Sequence, residues 1–276
     1  MSPGQALYTA SERLKLAWFL ASGKRPFSTG YGAYKEEHVR GVLDRKEFQA
    51  VKLPAGYGLN LDERIIEYPW LMSHLPPGPG LLLDAGSALN FRFILDLPAL
   101  TAKTIHICTL APERWSFWQR GISYTYQDLR RTCFRDGFFD HVVSLSTVEH
   151  IGLDNGRFYT GQEPSPRNPT SYLDAVREMA RILRPGGRLY LTIPYGSYAD
   201  MGWLQVFDAA MLNRVVEAFG PRDVVEQVFL YTTSGWKVSN RTEAARAAYV
   251  DLHTGARWRR GRAVAAESVA CLVLTR

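Results

Sequence analysis

From Leu81 onward the chain repeats one pattern: a short apolar run, a polar or glycine-bearing turn, then a stretch with helical spacing. The runs are LLLD from Leu81, TIHICT from Thr104, ISYTYQD from Ile122, DHVVSLS from Asp140 and RLYLTIP from Arg188. Before the fifth run, Leu173, Val176, Met179, Ala180 and Leu183 share one helix face, and Pro185-Gly186-Gly187 ends that helix. FDAAMLNRVVEAFG forms a further helix with Gly220 as its stop signal. VVEQVFLYTT and SVACLVLTR supply two final strands, separated by an insertion that holds Trp236 and an arginine cluster. Strands that are apolar almost throughout need cover on both faces, and the intervening helices provide it. The chain therefore reads as an α/β protein, a Rossmann-like doubly wound sheet that is mainly parallel.

The first seventy or so residues show no strand alternation. Arg13 to Pro26 reads as an amphipathic helix packed on the domain rather than a signal peptide. Its apolar stretch is short, meets Lys24 and Arg25 at once, and lacks a small-x-small cleavage pattern. A helix touching a membrane surface, a peripheral contact, is the alternative. FSTGYGAY, Phe27 to Tyr34, reads as a loop, followed by a helix around Lys35 to Val51. A third helix is expected through DERIIEYPWLMSHL, capped by Asn60 or Asp62. Pro76 to Gly80 then breaks the chain, which divides an N-terminal helical cap (residues 1–78) from a ligand-binding core (79–276). Trp18, Tyr31, Tyr34, Tyr68 and Trp70 would form either a lid over a ligand or the core of that cap.

No apolar run approaches the roughly 18 residues of a membrane span. The three cysteines, Cys108, Cys133 and Cys271, are odd in number and lack metal-ligand spacing, so no metal site is expected. Two of them sit in apolar strand-like runs, which fits a reducing, cytoplasmic setting. The net charge of +6 favours acidic partners, and its densest cluster, Arg257 to Arg262, reads as a solvated loop.

In an open parallel sheet, ligands bind at the carboxyl ends of the strands, near the point where strand order reverses. Polar residues stand at each of those ends: Asp84-Ala85-Gly86-Ser87, Thr109 with Glu113 four residues on, Gln127-Asp128-Leu129, and Ser146-Thr147-Val148-Glu149-His150. Helices are expected after the first of these loops and from Pro112 through ERWSFWQRG. Together with FRDGFFDHVVSLSTVEHIG (Phe134 to Gly152) and REMARILRPGGRLYLTIPYG (Arg177 to Gly196), the DAGS loop resembles the class I S-adenosylmethionine-dependent methyltransferases. The likeness is to their small-molecule, ubiquinone-biosynthesis-like branch (methyltransferase type 11).

The resemblance implies a seven-stranded sheet whose last strand is antiparallel, and S-adenosylmethionine as cofactor, with S-adenosylhomocysteine as product. Asp84, Gly86 and Ser87 would meet its methionyl part, Asp128 and the Leu129 backbone its adenine, and Ser146 would lie beneath the sulfonium. Two departures stand out. Ala88 and Asn90 occupy positions usually held by glycine, and Asn90 could hydrogen-bond the cofactor instead. The acid that normally chelates the ribose is replaced by Thr109, which makes Glu113 the candidate substitute.

The reading that follows is a cytoplasmic methyltransferase acting on a small molecule or saccharide, with O-methylation of a hydroxyl. His150 is the first candidate for the base, with Glu149 beside it and Tyr195 and Asp200 as alternates. Tyr198 to Asp208, with Asp200, Trp203 and Gln205, is expected to meet a polar acceptor. An RNA-modifying enzyme is the competing reading, but no Asn-Pro-Pro-Tyr-like motif follows the fourth strand and the basic residues form no separate domain, so nucleic acid is disfavoured. A non-catalytic or repurposed member is the third.

Overall fold

The computed structural model describes residues 3–45, 47–113, 115–156, 167–252, 257–259 and 261–276, with the side chains of 3–10 and 12 outside that description. Three helices come first: α1 (Pro3–Ala21), α2 (Tyr31–Arg45) and α3 (Arg64–His74). α2 begins inside the stretch expected to be a loop, because Tyr31 and Tyr34 are buried against Phe19 of α1. At the start of α3 the Arg64 amide donates to Asp62 Oδ1 at 3.2 Å, and Asn60 does not cap it.

The core then runs β1 (Leu81–Ala85), α4 (Arg92–Leu95), α5 (Pro98–Thr101), β2 (Thr104–Thr109), β3 (Ser123–Tyr126), β4 (Phe139–Leu145), α6 (Tyr172–Ile182) and β5 (Leu183–Pro194). It continues with β6 (Ala199–Asp200), β7 (Gln205–Val206), α7 (Ala209–Phe219), β8 (Asp223–Thr232), β9 (Gly235–Ser239), α8 (Arg241–Ala244) and β10 (Ser268–Thr275). α7 ends as its sequence requires: Asp208 caps the Met211 amide, and Gly220 takes the left-handed conformation at φ 64°.

The main sheet has the order β3-β2-β1-β4-β5-β10-β8-β9. β1 pairs parallel with β2 and β4, β2 with β3, and β4 with β5; β10 is antiparallel to both β5 and β8. This is a Rossmann-like sheet with an antiparallel last strand, and its order reverses between β1 and β4. It holds eight strands rather than seven, because the insertion before β10 folds back as β9 along β8. Trp236 explains the extra strand. Its ring is buried, its indole donates to the Leu61 carbonyl at 3.1 Å, and its amide donates to the Tyr57 carbonyl at 2.8 Å.

Alternation along each strand sends successive side chains to opposite faces, and two hydrophobic layers result. Leu82, Ile107, Val143 and Val273 face the side covered by Ile66, Trp70 and Leu71 of α3. Leu83, Val142, Leu191 and Leu272 face α6 and α7, through Val176, Met179, Leu212 and Val215. Tyr31, Tyr34, Tyr68 and Trp70 belong to the first layer, so they are core residues; Trp18 is exposed on α1.

Three expectations are corrected. No long helix follows the β1 loop, where α4 has four residues. Nor does a helix run from Pro112: among the described residues there is only a 3-10 turn, Trp118–Arg120. Glu113 and Trp115 are drawn back onto the β1 loop by Asn90, and the Phe117 amide donates to Tyr124 Oη, so the chain cannot coil there. Finally, β5 starts at Leu183 and absorbs Pro185-Gly186-Gly187 in a register shift against β4. In the basic cluster Arg260 lies outside the described residues, and Arg262 approaches Glu267 at 3.9 Å. No described helix is long and apolar enough to cross a membrane.

Candidate active site

The carboxyl ends of β1 and β4 meet at the reversal point. Asp84, fully buried at the end of β1, accepts the Leu89 amide on Oδ2 at 2.8 Å. Its other oxygen, Oδ1, is buried with no partner among the described residues. Burial raises the Asp84 carboxyl to about 7, the Leu89 amide partly offsets this, and the Glu113 charge adds to it. Gly86 follows at φ 113°, where a side chain would be strained; a Cβ there would also meet Thr147 Oγ1 at 2.3 Å. Ser87 is left-handed at φ 60°, and so is Ser146, at φ 41°, after β4. Two non-glycine residues held in that region on facing loops mark a locally strained junction.

Ala88 and Asn90 stiffen the loop where glycines were expected. Ala88 is buried in the core, and its carbonyl accepts Tyr68 Oη at 2.8 Å. The Asn90 amide donates to Glu113 Oε2 at 2.8 Å and to the Trp115 carbonyl at 3.0 Å, and its oxygen accepts Tyr124 Oη at 2.9 Å. Ser87 Oγ donates to the other Glu113 oxygen. Glu113 therefore does reach back over the loop, and Thr109 is buried at the end of β2.

At the end of β3, Asp128 is chelated by Arg130, whose Nη2 lies 2.6 Å away and whose amide donates at 2.8 Å. Burial works against its ionisation, but these bonds outweigh it and lower its pKa. Leu129 is buried beside it. Ser146, expected under a ligand, has its hydroxyl committed to Glu67 Oε1 at 2.5 Å.

Glu67 is the residue that reasoning from the sequence missed. It reaches from α3 to the ends of β4 and β5, fully buried, accepting Ser146 and Thr192 hydroxyls on one oxygen and Arg64 Nη1 at 2.7 Å on the other. Arg64 also donates to the Leu145 carbonyl at 3.2 Å. Burial opposes its charge, yet Glu67 and its acidic neighbours hold it firmly protonated. Both looked like helix-surface charges in sequence; the only hint was a carboxylate and a guanidinium placed among Ile65, Ile66 and Trp70.

Glu149 and His150 stand on the 3-10 turn after β4. Glu149 is fully buried, and burial pushes its carboxyl well up. His150 Nδ1 lies 2.8 Å from the Trp203 carbonyl. A carbonyl only accepts, so in the neutral ring Nδ1 carries the proton and Nε2 the lone pair. Nε2 is 3.9 Å from Glu149 Oε1, and the imidazole stacks on Trp203 with centroids 5.3 Å apart. The alternates do not join this group. Tyr195 donates to the Arg241 carbonyl at 3.1 Å, and Asp200 is ion-paired with Arg167. Gln205 is spent on the Pro169 carbonyl at 2.8 Å. An open depression of about 610 Å³, lined by Val51, Gln227 and Val238 among others, lies at the β8–β9 edge, away from Asp84, Glu149 and His150. Among the described residues no group of His, Cys, Asp and Glu is arranged to hold a metal ion.

Residues 100–191, a third of the chain, match the family described as Methyltransferase domain. The match begins after the β1 loop and ends within β5. No curated protein matches. Among solved structures, the chain is similar to a 1,6-didemethyltoxoflavin-N1-methyltransferase from Burkholderia thailandensis, with bound 1,6-didemethyltoxoflavin and S-adenosylhomocysteine. That likeness has 13% identity, covers 100% of this chain and 91% of the other, and has a TM-score of 0.47. A SAM-dependent methyltransferase from Methanosarcina mazei is similar at 12% identity, over 75% and 96% of the two chains, with a TM-score of 0.46. The N-methyltransferase NodS from Bradyrhizobium japonicum, in complex with S-adenosylhomocysteine, is similar at 14% identity, over 75% and 81%, with a TM-score of 0.40.

Proposed function

We propose that the protein transfers a methyl group from S-adenosylmethionine to a hydroxyl of a small polar molecule, such as a saccharide, a reading supported by the match of residues 100–191 to the family described as Methyltransferase domain. One observation carries the cofactor reading: the orphaned, buried Oδ1 of Asp84. A buried carboxylate oxygen without a donor is costly, and an ammonium group is the partner that would relieve it. The ammonium of the methionyl part fits that need. Arg64, adjacent and charged, would meet the methionyl carboxylate. Glu113 and Asn90, with Thr109, would supply the acceptors and donors for the ribose. Asp128 and Leu129 would take the adenine, and Ser146 would line the sulfonium side.

Bound S-adenosylmethionine supplies a methyl group on a positively charged sulfur. The protein's part is to hold the acceptor oxygen in line and to accept its proton. His150 Nε2 is suited to that second task, because Trp203 fixes the tautomer and the ring plane. With the cofactor bound, the acceptor oxygen would take the methyl group that the sulfonium gives up, and His150 Nε2 would hold the proton that oxygen loses.

Calorimetric titration with S-adenosylhomocysteine tests the cofactor, and an acceptor screen with labelled methyl groups tests the reaction. His150→Ala should lower turnover at least about a hundredfold while leaving S-adenosylhomocysteine affinity within about twofold. Absence of S-adenosylhomocysteine binding would overturn the cofactor assignment. Full turnover in His150→Ala would remove His150 from the mechanism.

A further inference from the structure

Five carboxyl groups gather around the start of α3 and the turn after β4: Asp62, Glu63, Glu67, Glu149 and Asp251. Three of them are accounted for. Asp251 accepts Trp203 Nε1 at 3.0 Å. Asp62 pairs with Lys35 at 2.7 Å and accepts Tyr31 Oη at 3.1 Å. Glu67 takes Arg64, Ser146 and Thr192. Glu63 and Glu149 are left without an ion pair to a lysine or arginine among the described residues, and Glu63 Oε2 accepts the Ala266 amide at 3.4 Å. Each is nine-tenths buried or more. Glu149 Oε2, moreover, has no hydrogen-bond partner among the described residues. Glu149 and Glu63 feel each other's charge, and Tyr249 senses both. The Tyr249 ring lies edge-on to Trp203, with centroids 6.1 Å apart, and Trp203 in turn stacks on His150.

Burial and the neighbouring acids hold both carboxyls above the usual carboxylate range, and the Arg64 charge offsets this only in part, so their ionised forms need a closer cation. A bound cation would supply the missing charge, and the flanking rings would favour it through cation–π attraction. Resting on the methyltransferase reading for the identity of this space as the acceptor side, we infer that the acceptor carries a protonated amine, held between Glu149 and Glu63. The methylated hydroxyl and the ammonium then belong to one small molecule, of the amino-sugar or amino-alcohol class. Glu149 and Glu63 give specificity, and His150 handles the proton.

The test uses the full chain saturated with S-adenosylhomocysteine and matched probes: glucosamine, ethanolamine and 1,4-diaminobutane against glucose, ethylene glycol and 1,4-butanediol. Binding is read by saturation-transfer NMR near neutral pH. At least one amine should bind ten times or more tighter than its neutral counterpart. Glu149→Gln and Glu63→Gln, which keep size and remove the ionisable acid, should each erase that preference while S-adenosylhomocysteine affinity stays put. The wild-type comparison needs no variant, so a misfolded variant does not remove the test. Equal binding of amines and neutral counterparts, binding of neither, or an amine preference that survives both substitutions, overturns the inference. Failure of S-adenosylhomocysteine to bind strikes the methyltransferase reading instead, and amine binding measured without it then stands or falls separately.

Discussion

Asp84 gives the sharpest test of the cofactor assignment, because its chemistry ties ligand affinity to pH. Burial holds its carboxyl at about 7, whereas an ammonium ligand on Oδ1 would favour the ionised form. The sign follows directly. The ligand binds the ionised carboxylate, so binding releases a proton, and affinity rises with pH until Asp84 is ionised in the free protein. At pH 6 about one molecule in ten is ionised, and at pH 8 about nine in ten. S-adenosylhomocysteine should therefore bind about tenfold more weakly at pH 6 than at pH 8, a difference of about 1.4 kcal/mol. The slope flattens above about pH 8, where Asp84 is already ionised in the free protein. Calorimetry in two buffers of different ionisation enthalpy should count about 0.9 proton released per ligand near pH 6. Asp84→Asn should abolish both the slope and the proton release. Glu113→Gln should keep the slope but move its midpoint down, since the Glu113 charge is one cause of the raised Asp84 value. A pH-independent affinity in the wild type, or an unchanged slope in Asp84→Asn, would refute the reasoning.

Glu113→Ala should weaken S-adenosylhomocysteine binding at least tenfold, about 1.4 kcal/mol, by removing a ribose acceptor and loosening Ser87 and Asn90; unchanged affinity in a titration would dismiss that role. Glu67→Ala leaves Arg64 buried without its carboxylate and two hydroxyls without their acceptor, so denaturant unfolding should report a loss of about 3–5 kcal/mol. Gly86→Ala must place a Cβ against Thr147 at a backbone angle that disfavours it. A destabilisation of about 1–3 kcal/mol is expected, and Thr147→Gly should relieve the steric part of it in the double variant.

The sequence alone determined the class of this protein. Short apolar runs alternating with period-3.6 helices leave few architectures, and the polar residues at the strand ends follow from the same pattern. Asp84, Glu149 and His150 were legible because they stand directly after strands, where a parallel sheet opens toward a ligand. Local patterns also located α6 and α7, whose apolar faces and stop signals lie within a dozen residues. Tertiary structure decided the rest. Glu67 and Thr192 are 125 residues apart, and only the docking of α3 across β4 and β5 turns a helix-surface acid into the buried partner of Ser146. The helix expected from Pro112 was lost to Asn90, whose side chain captures Glu113 and the Trp115 carbonyl, and β9 exists because Trp236 finds Tyr57 and Leu61. The distinction is physical. Periodicity reports which side of an element must leave water, but the charge state and task of a buried carboxylate depend on the groups that face it, and these come from elsewhere in the chain.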